Sequence, residues 1–127
     1  MVPTRTDTRR SQLLRGALDL CLLATISRGP TYGYEMTRRL ADLGLTAVAE
    51  GSIYPVLGRL EHQGLVDTSR QESNGGPPRK YYRLSAAGRS ALAEWREEWT
   101  STRSAIDAVL AAPLELTAGQ DVSEEDA

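Results

Sequence analysis

The sequence predicts an α+β fold that is mainly helical, with one small β-hairpin. Three observations predict it. Apolar residues recur at helical spacing through most of residues 10–63. One turn-rich stretch, Glu72-Ser-Asn-Gly-Gly-Pro-Pro78, separates two short segments that read as strands. After them, Leu92, Trp95, Trp99, Thr102, Ile106 and Val109 follow at alternating spacings of three and four. A chain of 127 residues has room for one domain with a real core.

Residues 1–9 have no apolar periodicity and read as a flexible basic arm carrying Arg5 and Arg9. A first helix is expected from about Arg10 to Arg28, apolar around almost its whole circumference between Ala17 and Ile26. Such a helix needs cover on several sides, and a second subunit is the natural candidate. Gly29-Pro30 ends it. Thr31 suits the N-cap of a second helix reaching about Leu43, with Met36, Leu40 and Leu43 inside and Gly44 at the C′ position. A third helix is expected over about Ser52–Gln63. With Ser52 as N-cap, Pro55 falls at the third helical position, where its missing N–H costs no intrahelical bond. Its inner face is Ile53, Val56, Leu57 and Leu60; the opposite face carries Pro55, Gly58, Arg59 and His62, with Ser52 and Tyr54 near the start. Gly64 stops this helix. Strands over Leu65–Gln71 and Arg79–Leu84 form the hairpin. Ser85 caps a last helix that reaches about Leu110 and ends before Pro113. Residues 113–127 read as an acidic disordered tail.

Three helices followed by a hairpin describe a winged helix-turn-helix head over residues 10–84, with a long C-terminal helix over 85–112. In that arrangement the third helix enters a major groove of double-stranded DNA and the hairpin lies beside it on the backbone. The net charge of −2 argues against DNA until the charge is located. Glu115, Asp121, Glu124, Glu125 and Asp126 crowd the tail, and without these five, residues 1–114 hold fifteen bases against twelve acids. All the bases but Lys80 are Arg, whose fork suits phosphates and guanine edges. That balance permits DNA binding without establishing it.

Other chemistries find little support. A single cysteine and a single histidine, Cys21 and His62, leave no disulfide, metal cluster or paired-His chemistry, so neither metal nor cofactor is expected and an enzyme is not the reading. Cys21 reads as a small buried hydrophobe. No apolar run reaches membrane-spanning length, and Met1–Arg10 lacks the apolar stretch of a secretory signal, so a cytoplasmic location is expected.

Three motifs then fall in a telling order: Tyr32-Gly-Tyr-Glu35, Ser52-Ile-Tyr-Pro-Val-Leu-Gly-Arg-Leu-Glu61 and Gly76-Pro-Pro-Arg-Lys-Tyr-Tyr-Arg-Leu84. With them the chain resembles the PadR-like transcriptional regulators over roughly Leu13–Leu110, in the compact branch with one C-terminal helix. The resemblance implies a homodimeric repressor whose first and last helices build the dimer. Ser52, Tyr54 and Pro55 match the recognition-helix motif, and Arg79 and Lys80 match the wing.

The residues give a compatible reading. Ser52 and Tyr54 can donate to phosphates or base edges, Pro55 can touch a thymine methyl, and Arg59 can reach phosphate or guanine. Tyr32, with Thr31, sits where a helix start offers free N–H groups to a phosphate, and Arg79 and Lys80 can clamp the backbone. Leu14, Leu18, Cys21, Leu92, Trp95, Trp99, Ile106 and Val109 are the expected dimer contacts. In the resembled family some members hold flat aromatic ligands between subunits. Trp95 and Trp99, one helical turn apart, are the candidates here for a small hydrophobic or aromatic effector, with tight dimer packing as the other reading. A winged helix that binds protein, without specific DNA binding, remains the alternative to a symmetric operator.

Overall fold

The structure, a computed structural model, describes residues 4–113. It contains α1 (Arg5–Leu14), α2 (Leu18–Ile26), β1 (Thr31–Tyr32), α3 (Gly33–Asp42), α4 (Glu50–His62), β2 (Val66–Ser73), β3 (Gly76–Leu84) and α5 (Ala86–Ala111). The expected acidic tail lies outside the described residues but for its first position.

The N-terminal segment departs from expectation. It is helical from Arg5 onward, started by a capping box in which the Thr4 hydroxyl accepts from the Asp7 amide at 3.0 Å and the Asp7 carboxylate accepts from the Thr4 amide at 3.3 Å. The single helix expected over 10–28 is two helices. The interruption falls at Arg15–Ala17, around Gly16, the residue least costly to take out of a helix. The apolar girdle of α2 is also covered differently. Leu18, Leu22, Leu23 and Ile26 are buried in the head's own core, and Leu20, Cys21 and Ala24 pack half-buried against it. Neighbours in the same chain thus supply most of the cover assigned to a partner.

Two of the glycines expected to end helices close them with a left-handed residue and a back-donated bond. Gly44 and Gly64 take φ of +109° and +76°, a region open to glycine at little cost. Each closes a Schellman motif: the amides of Leu45 and Leu65 donate back to the carbonyls of Leu40 and Leu60, both at 2.9 Å. These stops turn the chain so that α3 and α4 pack on α2 with Met36, Leu40, Ile53, Leu57 and Leu60 inside.

The sheet is antiparallel in the order β1-β3-β2. The expected N-cap Thr31 belongs instead to β1, where it pairs with Tyr82 and Tyr32 pairs with Tyr81. The hairpin is longer than expected, with its turn confined to Asn74 and Gly75. Register runs regularly to Gln71↔Arg79 and resumes at Ser73↔Gly76, so Pro77 and Pro78 together oppose Glu72. Two consecutive residues without an N–H cannot sustain a ladder, and a bulge absorbs them.

Ser85 starts α5 as expected, its hydroxyl accepting from the Gly88 amide at 3.0 Å and donating to the Gly64 carbonyl at 2.6 Å. The described residues divide after Trp95. Up to that point α5 belongs to the head, with Leu92 buried and Trp95 half-buried against the core. Every described residue from Arg96 onward is exposed. Leu18 and Leu92, both expected at a dimer seam, are therefore taken up by the head's own core.

Candidate nucleic-acid interface

An open groove of about 570 Å³ runs between the start of α3, one edge of α4 and the wing. Tyr32, Tyr54, Arg79 and Lys80, four of the seven expected DNA-contacting residues, line it together with Gly33, Tyr34, Glu50, Gly58, Glu61, Pro78 and Tyr82. They come from three separate stretches of sequence, so the fold makes this convergence.

Strand alternation decides how the wing contributes. Tyr82 and Leu84 face the core, which puts Lys80 on the same inner side and Arg79, Tyr81 and Arg83 on the other. Arg79 and Lys80 are thus not a simple side-by-side clamp. The Arg79 guanidinium lies over the Tyr32 ring at 4.6 Å, and Tyr32 in turn meets Tyr81 with ring centroids 5.2 Å apart. This stack holds a cation at the groove's rim while leaving its N–H donors free. The Lys80 ammonium reaches across to α4 and donates to Glu61 Oε1 at 3.1 Å, and Thr68 of β2 donates to Glu61 Oε2, also at 3.1 Å. The bond from Lys80 is the main reason the Glu61 carboxyl sits below its usual range. One carboxylate therefore ties the recognition helix to both wing strands.

The recognition helix begins three residues earlier than expected, with Ala49 in place of Ser52 as N-cap. Ser52 lies inside the first turn, and its hydroxyl donates to the Ala49 carbonyl at 2.7 Å. Pro55 falls at the sixth helical position rather than the third, so the carbonyl of Gly51 loses its intrahelical donor. The helix's exposed surface has two edges. Glu50, Tyr54, Gly58 and Glu61 line the groove edge; Ser52 and Arg59 lie toward the other, with Pro55 and His62 between them. Ser52, Pro55 and Arg59 are exposed, and Arg59 enters no ion pair among the described residues.

Tyr54 is the most constrained of these groups. Its hydroxyl donates to Glu50 Oε2 at 2.6 Å. That bond, with partial burial, pushes the phenol up to about 12, so it stays a neutral donor. Its ring lies directly on Gly33, where a Cβ would come within 2.8 Å of the ring carbon bearing the hydroxyl. Thr31 is not available to a phosphate: it is fully buried and donates to Glu35 Oε1 at 2.6 Å. Sequence reasoning missed Glu50 and Glu61, and it placed Gly33 at the helix start without its packing against Tyr54. The i, i+4 spacing of Glu50 and Tyr54 was the signal for the first.

Among the described residues no group of three or more His, Cys, Asp or Glu could hold a metal ion, and no helix is long and apolar enough to cross a membrane. Burial, with Asp19 adding to it, raises the Cys21 thiol above its usual value and keeps it protonated.

Comparison with known proteins identifies the scaffold. The model of the transcriptional regulator PadR-like family matches residues 22–94. The chain is 38% identical over 82 residues to the transcriptional regulator Rv3488 of Mycobacterium tuberculosis, covering 65% of this chain and 75% of that one. A crystal structure of a PadR-like transcriptional regulator from Bacillus cereus is 36% identical, with a TM-score of 0.71 over 80% of this chain and 99% of the other. A PadR family regulator from Eggerthella lenta is 31% identical, with a TM-score of 0.74 over 85% and 94%. The family match spans more than half of the sequence, and the same winged helix recurs in these regulators, so the chain belongs to the PadR-like family of transcriptional regulators, which bind DNA and are not enzymes.

Proposed function

We propose that the chain is a homodimeric cytoplasmic repressor that binds a pseudo-palindromic operator, one head per half-site. The observation that carries this reading is the groove in which Tyr32, Tyr54, Arg79 and Lys80 converge beside the exposed face of α4. In this proposal Ser52, Tyr54, Pro55 and Arg59 meet base edges and nearby phosphates, while Tyr32, Arg79 and Lys80 fix register on the backbone. A C₂ dimer matches its own symmetry to that of the DNA.

The exposed apolar residues support dimerisation. Trp99, Ile106 and Val109 are 45%, 51% and 74% exposed along the outer turns of α5, on the stripe that the spacing of three and four sets on one face. Leu14 and Cys21, both half-buried, are the remaining contacts assigned to the partner. Trp99, with the half-buried Trp95 one turn before it, is where a flat aromatic effector would stack. Such a ligand releases DNA only if it prefers one dimer geometry over the other.

The deciding experiment is binding of the purified protein to fragments of its own upstream DNA with competitor DNA present. The expected result is a competitor-resistant complex with a two-fold symmetric footprint, its half-sites about one helical turn apart. Folded protein that yields only competitor-sensitive binding contradicts the repressor reading and favours a winged helix that binds protein.

A further inference from the structure

We propose that Glu50 is a specificity-determining residue whose carboxylate accepts a hydrogen bond from an exocyclic amine of cytosine or adenine in the major groove. This rests on the DNA-binding reading above and deepens it.

Glu50 puts a negative charge where the proposed interface meets phosphates, in a first helical turn whose dipole favours an acid. Glu50 is exposed, in the first turn of the recognition helix, and lines the groove. A carboxylate there repels the phosphates that the surrounding bases attract. The other carboxylate on this edge, Glu61, is neutralised by Lys80. Among the described residues Glu50 enters no ion pair, and its side-chain partner is the uncharged hydroxyl of Tyr54. A carboxylate without a basic partner therefore lines the side proposed to meet DNA, and phosphate binding gains nothing from it.

The carboxylate is also aimed. Tyr54 donates to Oε2, and Oε1 takes no hydrogen bond among the described residues. Gly33 leaves the space that Tyr54 fills, since a Cβ at that position would lie 2.5 Å from the hydroxyl and 2.8 Å from the ring. Gly33, Tyr54 and Glu50 thus form a chain of contacts that holds one acceptor oxygen in place. Acceptor-only groups at the start of a recognition helix match one feature of a base-pair edge, the amines at cytosine N4 and adenine N6. They clash with guanine O6 and N7 and with thymine O4, which are acceptors themselves. Specificity gained by repelling wrong partners costs general affinity. Tyr54 acts here as a positioning residue for Glu50 in addition to any contact of its own.

The experiment is selection from a random double-stranded DNA library, followed by competition titrations, with the wild type, Glu50→Ala and Tyr54→Phe. Thermal unfolding confirms that each variant is folded. The wild type is expected to prefer an amine-bearing base at one position on a given strand of each half-site. Glu50→Ala should lose that preference by roughly tenfold and bind random competitor DNA more tightly. Tyr54→Phe, which keeps the charge but frees the carboxylate, should weaken the preference at the same position without tightening competitor binding. If Glu50→Ala instead tightens binding to all sequences alike and leaves the selected bases unchanged, Glu50 is only a repulsive charge and the proposal is overturned. A folded wild type that selects no sequence overturns the regulator reading itself, and with it this one.

Discussion

The first three turns of α5 and its later turns carry one continuous apolar pattern but meet different fates. Leu92 is buried in the head and Trp95 packs half-buried against it, whereas Trp99, Ile106, Val109 and Leu110 stand exposed. The spacing of three and four runs through both parts without a break. A periodic stripe states that a helix face needs cover, and it is silent on whether the same chain supplies that cover. In this chain the inner part is finished by folding, and the outer part is left for the second copy proposed above.

Substitutions along the helix sharpen that contrast. The largest effect is expected at Gly88→Ala. A Cβ there would collide with the backbone carbonyl of Leu65, which cannot swing aside as a side chain can. A loss of about 3 kcal/mol in unfolding free energy, or no folded protein at all, is expected by chemical denaturation. Leu92→Ala comes next, at about 2–4 kcal/mol for a truncated core leucine, and the loss should appear at every protein concentration. Ile106→Ala should behave otherwise. At dilutions where the wild type is monomeric it should change stability by less than about 0.5 kcal/mol. At higher concentration it should shift the dimer–monomer equilibrium toward monomer in sedimentation experiments. Equal losses for Leu92→Ala and Ile106→Ala in the dilute regime would erase the distinction between the two parts.

The smallest effect belongs to the groove. Glu61 is held below its ordinary carboxylate range chiefly by Lys80. A carboxyl depressed on folding contributes stability that is present above its unfolded value and lost as pH falls through the folded one. Glu61→Gln should therefore cost less than about 1 kcal/mol near neutral pH, because the pair is open to solvent. The difference from wild type should vanish on acidification below the carboxylate range. A deficit that persists there points to lost packing in place of the ion pair.

Much of the fold was legible because its signals are local. The two glycine stops and the Ser85 cap each depend on a few adjacent residues and were read correctly, whereas the strands run on through the prolines that were assigned to the hairpin tip. What escaped depends on distant partners. Thr31 has the chemistry of a helix cap, but pairing with Tyr82 claims it for the sheet. Pro55 is tolerated inside α4 although local rules place it nearer the start. Arg79 and Lys80 are neighbours in sequence, and only the alternation counted back from buried Leu84 and Tyr82 parts them to opposite faces. The site residues were recognisable by type and motif, while the links that arrange them, Tyr54 with Glu50, Arg79 over Tyr32 and Lys80 with Glu61, required the folded chain.

The account's central claim is that the wing and the recognition helix together grip DNA. The most direct measurement is the salt dependence of operator affinity for the wild type and for Arg79→Ala combined with Lys80→Ala. Each phosphate contact adds about 0.9 to the slope of log affinity against log salt. The account predicts that the double variant binds all sequences more weakly and that its slope is flatter by about two. A folded double variant with an unchanged slope would contradict it, placing the wing outside the interface.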